Sequence, residues 1–88
     1  MTDECMLIVF ESTHKAIRTE RLLLDRIDID MIPTPREIGA SCGLTISFEI
    51  ADLEAVKGLL SREDKTGIDL YHYNKSSEIK ASQRSWED

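Results

Sequence analysis

The chain has 88 residues, 41% apolar and 32% charged, and eleven Lys and Arg against seventeen Asp and Glu leave a net charge of −6. That length allows one small domain with one modest core, and the composition is that of a folded globular protein. The acidic balance argues against nucleic acid and anionic membrane as partners, because both reward clustered Lys and Arg.

The first apolar run, Cys5 to Phe10, is too short to span a bilayer and lacks the basic flank of a signal peptide. This predicts a cytoplasmic chain. There Cys5 and Cys42 stay reduced rather than forming a disulfide scaffold. Met6 to Phe10 reads as a buried central strand. Ser12 follows as a helix cap, and a helix is predicted from about Thr13 to Arg26, with Ala16, Ile17, Leu23, Leu24 and Ile27 on its apolar stripe. Asp28 to Ile32 alternates and predicts a second strand, which Pro33 and Pro35 end. After Gly43, Leu44, Ile46 and Phe48 alternate with Thr45 and Ser47, the pattern of a half-exposed third strand. Asp52 and Glu54 open a second helix whose buried stripe is Leu53, Val56 and Leu60. Gly67 leads into a fourth strand, Ile68 to Tyr73.

The order β-α-β-β-α-β predicts an α+β, ferredoxin-like domain over residues 1–73, with a four-stranded antiparallel sheet and two helices on one face. Residues 74–88 turn polar and read as a mobile tail, with Trp86 disordered or in contact with another chain. Because the first strand is apolar on both faces, the open face of the sheet suggests a homodimer.

The segment Ile32 to Gly43 is longer than a hairpin needs, and long ordered loops are often functional. In the expected topology it lies at the carboxyl end of the first strand, where the first helix begins. Cys42 then sits near Ser12, Thr13 and His14. Its parity with Leu44 aims the sulfur at the helix start. A helix N-terminus favours an anion and so a thiolate, the nucleophilic form of cysteine. His14 can take the proton or add positive charge, and Arg36 can hold an anionic group. Gly39 and Gly43 let the backbone turn tightly beside the sulfur.

These same residues carry a resemblance. Phe10-x-Ser12-Thr13-His14-x-Ala16, then Glu20, then Ile32-Pro33-x-Pro35-Arg36-Glu37-Ile38 and Ser41-Cys42-Gly43 resemble a bacterial family of selenium/sulfur-carrier-like proteins. The resemblance covers about Met6 to Tyr73. It implies a carrier that holds sulfur or selenium on one cysteine, with Cys42 at the matching position. It also implies protein partners of the TusA-like carrier or cysteine desulfurase type. The acidic N-terminus, the extra Cys5 and the polar extension depart from the pattern without touching the motif.

Plainer readings stand beside these. Cys42 can be a small buried residue at a strand start. Cys5 reads as packing, at the far end of the sheet from Cys42. His14 can be a solvated first-turn residue, Arg36 a loop charge paired with Glu37, and His72 a residue packed on the last strand. Glu20 interrupts the first helix's stripe and reads as structural. Pro33 and Pro35 stiffen a turn. Two function classes follow: a thiol carrier, or a non-catalytic binding or regulatory module in which the loop is a recognition surface. A soft-metal site on Cys42 and His14 is weaker, since structural zinc takes four ligands. The carrier reading needs no bound cofactor or metal. A conventional enzyme has no support from a carboxylate pair, a Gly-rich phosphate loop or a nucleophile–base set.

Overall fold

The computed structural model describes residues 3–39 and 43–87. Seven-residue β1 (Glu4–Phe10) leads into α1 (Thr13–Leu23), β2 (Ile29–Pro33) and β3 (Leu44–Phe48). A short 3₁₀ turn (Ile50–Asp52) then opens α2 (Leu53–Leu59), followed by β4 (Ile68–Asn74) and β5 (Ala81–Arg84). Among the described residues the class is α+β, with two helices and one antiparallel sheet in the order β2-β3-β1-β4-β5. The expectation of four strands is corrected to five: residues 81–84 pair with β4, Tyr71 opposite Gln83 and Tyr73 opposite Ala81.

Alternation decides which side chains meet the helices. Met6, Ile8 and Phe10 of β1 join Ile46 and Phe48 of β3, and Ile68 and Leu70 of β4. Against them pack Ala16 and Leu23 of α1, Val56 of α2 and Leu60 at its C-terminal cap, with Leu53 partly buried beside them. The second helix thus buries the stripe its spacing predicts. In α1 the stripe is different. Ala16, Thr19 and Leu23 are buried, while Ile17 and Leu24 are 41% and 57% exposed. The helix also ends at Leu23 rather than Arg26, in a turn where the Ile27 N–H donates to the Leu23 carbonyl at 2.8 Å. Leu24 is the cap residue, and the last turn closes on itself there instead of continuing the stripe.

The other face of the sheet is covered too. Leu7 and Val9 point away from the helices, yet they are 0% and 5% exposed. Ile38 and Gly39 share one depression with Val9, Asp69 and Tyr71, so the segment after β2 folds back over β1 and β4. Thr45, read from alternation as solvent-facing, is fully buried, and its hydroxyl pairs with that of Thr34 at 2.8 Å. The dimer expectation rested on exposed apolar area around β1, and the chain itself buries Leu7 and Val9.

The segment 74–88, read as a mobile tail, begins with the last residue of β4 and carries β5 and then Trp86. That indole packs against the core, and its N–H donates to the Ile68 carbonyl at 2.9 Å. Among the described residues no helix is long and apolar enough to cross a membrane.

Candidate functional site

Local chemistry fixes where α1 starts. The Ser12 side chain accepts from the Lys15 backbone N–H at 3.3 Å, as the sequence suggests for a cap. The segment before β4 ties down the same corner. The Glu11 N–H donates to the Gly67 carbonyl at 2.9 Å, and the Lys15 ammonium meets both Glu11, at 2.8 Å, and the Thr66 carbonyl, at 2.5 Å. Arg18 reaches Glu63 at 3.2 Å. Hydrogen bonds from Thr66, side chain first and backbone second, hold the Asp64 carboxyl below its ordinary value.

Gly67 lies at φ +74°, and a Cβ there would overlap the Glu11 side chain. Gly67→Ala should therefore cost roughly 1–2 kcal/mol for the left-handed backbone, plus the Glu11–Lys15 pair if Glu11 swings away. Chemical denaturation of Gly67→Ala with and without Glu11→Ala checks this. The Glu11 background should recover the steric part alone.

The loop between β2 and β3 is pinned at its ends. Pro33 stands opposite Leu44 as the last pair of the ladder. One step on, the Thr34 N–H donates to the Gly43 carbonyl at 3.0 Å, with Gly43 at φ +75°. The Pro35 carbonyl accepts from Ile38 at 3.1 Å and from Gly39 at 3.3 Å, and Gly39 lies at φ +65°. The two glycines singled out from sequence thus occupy conformations that suit glycine. Since Val9 pairs with Thr45, the loop's return to β3 is level with the end of β1, where α1 begins.

Glu37 extends this loop toward the far edge, 3.9 Å from the Lys80 ammonium. Partial burial, then the Glu37 carboxylate and Cys5 nearby, hold the Tyr73 phenol above its ordinary value. Thr34, Glu37, Thr45, Tyr73 and Lys80 therefore build the loop's seat, and sequence reasoning missed all five in that role. Only Glu37 lay in the motif.

Of the residues proposed from sequence, Ser12, Thr13, Pro33, Pro35 and Gly43 lie at these two adjoining places. Arg36 is exposed in the turn after Pro35. His14 is exposed in the first turn of α1 and lines a groove with Ile17, Arg18, Arg21 and Leu22 on the helix's outer side. Ser41 and Cys42 lie outside the described residues, so the expected direction of the sulfur does too. Cys5 is half-buried in β1 opposite Tyr73, as a free thiol. His72 is half-buried on β4, 3.9 Å from Glu4. Among the described residues no three His, Cys, Asp or Glu side chains are grouped to hold a metal ion.

The family model described as "Putative Se/S carrier protein-like" matches residues 5–72. The chain belongs to this family. The match runs from β1 through the loop to β4 and stops short of β5 and Trp86. A protein of Methanocaldococcus jannaschii described as uncharacterized is 38% identical over 58 residues, which is 66% of this chain and 29% of that protein. The chain thus spans under a third of that relative's length. No solved structure matches the chain.

Proposed function

We propose that the chain is a ferredoxin-like sulfur or selenium carrier, with β5 as an added edge strand and Cys42 as the carrying thiol. The observation that carries this reading is the family match across residues 5–72, which includes the whole loop from Pro33 to Gly43. The pinned loop ends support it, since a nucleophile gains from a fixed scaffold. So does the level of the loop's return, beside the start of α1, because a helix N-terminus lowers the cost of a thiolate.

The transfer is a thiol–disulfide exchange. The Cys42 thiolate attacks the terminal sulfur of a donor persulfide. A new S–S bond forms, the donor's S–S bond breaks, and its electron pair leaves with the donor thiolate, which takes a proton. No outside oxidant or reductant enters. Ser12 and Thr13 would offer backbone N–H groups to the sulfur anion, His14 would add charge or accept the thiol proton, and Arg36 would hold the partner. The donor would be of the cysteine desulfurase type and the acceptor a TusA-like carrier or a selenium-pathway enzyme. Chemistry of this kind belongs in a reducing compartment such as the cytoplasm.

The test is intact-mass measurement after incubation with a cysteine desulfurase and cysteine, followed by peptide mapping. A one-sulfur adduct on Cys42 supports the carrier. An unmodified chain, or an adduct confined to Cys5, overturns it and leaves the loop as a recognition surface of a binding module.

A further inference from the structure

The first helix has a second face. Inward it buries Ala16, Thr19 and Leu23. Outward, His14, Ile17, Arg18, Arg21 and Leu22 line one groove of about 420 Å³. Their spacing is that of a single helical stripe, and Ile17 and Leu22 are 41% and 40% exposed within it. An outer helix face is mostly polar, and apolar side chains on it are usually scattered singly. This one sets two branched apolar side chains among cations.

The charge is as uneven as the polarity. Residues 13–26 hold four Lys or Arg against two acids, a net +2, which leaves −8 on the rest of the chain. Lys15 is engaged by Glu11 and the Thr66 carbonyl. Arg18 touches Glu63 at 3.2 Å but keeps 69% of its side chain open, and Arg21 stands in the same groove.

We propose that the outer face of α1 docks a protein partner through an acidic amphipathic segment. Leu- or Ile-type side chains would cover Ile17 and Leu22, and flanking carboxylates would pair with Arg18 and Arg21. Complementary charge steers an acidic partner to this face and repels it from the remainder of the chain. A second copy is the poorer occupant. Joining this basic face to an acidic face elsewhere on a copy is a heterologous contact, which builds rings or open chains rather than a two-fold dimer. Nucleic acid is poorer still, because the −8 remainder would repel its phosphates. The inference does not depend on what Cys42 carries.

The test is a titration of the ¹⁵N-labelled full chain with a synthetic helical peptide that has a Leu stripe flanked by Glu. Amide shifts should concentrate at His14, Ile17, Arg18, Arg21 and Leu22. Affinity should fall about tenfold or more on raising salt to a few tenths molar, and as much in R18E/R21E. Arg18→Gln with Arg21→Gln serves if charge reversal disturbs folding, while Arg→Lys at both positions should retain binding. Shifts centred elsewhere, equal binding of the Glu→Lys peptide, or absence of binding would overturn the proposal. Self-association in light scattering that R18E/R21E abolishes would assign the face to a second copy instead. Tighter binding of a short RNA at the same residues would likewise overturn it.

Discussion

Cys42→Ser should accept no sulfur from a persulfide donor, while Cys5→Ser should accept as much as the wild type. The asymmetry is chemical. Attack on a disulfide-like sulfur requires a thiolate, and a serine hydroxyl stays protonated near neutral pH and gives no stable sulfur adduct. The substitution changes one atom, so far-ultraviolet circular dichroism and thermal melting should stay close to wild type. Equal loading of Cys42→Ser and wild type would remove the carrier reading whatever the affinity for a partner. Loading that survives Cys42→Ser and disappears in Cys5→Ser would move the chemistry to Cys5 on β1, opposite Tyr73. Rate against pH adds a second readout. A thiolate formed near neutral pH gives a profile already level there, and His14→Ala should shift that profile if the imidazole takes part.

Trp86→Ala should cost about 2–3 kcal/mol, a large share of what a domain of this size possesses. Full burial of a tryptophan is worth more, but this one is half-exposed. Its contribution has two parts: the ring against the core and the indole N–H on the Ile68 carbonyl at 2.9 Å. Trp86→Phe keeps most of the first and loses the second, so it should cost about 1 kcal/mol. For a domain of this length the alanine variant should melt on the order of 10–15 °C lower. Circular dichroism suits the comparison because Trp86 is the chain's single tryptophan and leaves no fluorophore when replaced. A shift of under about 2 °C would show that the ring contributes nothing to stability. The result matters for the family as well, because β5 and Trp86 lie beyond the residues that the family model matches.

That same segment shows where sequence reading stops. Ala81–Arg84 is short and polar, without alternation or β-branched residues, and only the edge of β4 makes it a strand. The central strand, the alternation at Leu44–Phe48 and the stripe of Val56 and Leu60 were legible because each pattern matches its element's own period. In α1 the period was right but the phase was not. At ~100° per residue Ile17 stands a quarter-turn from Ala16, and Thr19 fills the inward place that a count of apolar residues passes over. His14 lies ~200° from Ala16, so it faces outward with Arg18 and Arg21 rather than inward.

For the site, the Ser12 cap and the turn glycines were readable from local chemistry. The path of the loop was not. Its seat is made by Thr45, Tyr73 and Lys80, residues distant in sequence, and it brings Ile38 and Gly39 beside Val9. Alternation reports which face of a strand a residue occupies, and it does not report whether a connection later crosses that face.

The order of the strands also bears on how the protein avoids aggregation. Met6–Phe10 is five consecutive apolar residues, the composition that stacks readily with copies of itself into cross-β assemblies. It occupies the middle of the sheet, with β3 on one side and β4 on the other. The two outermost strands are poor templates for a passing chain. β2 carries Asp30 and ends on a proline, and β5 reads Ala-Ser-Gln-Arg. The stickiest stretch of the polypeptide becomes available to another molecule only when the sheet itself comes apart.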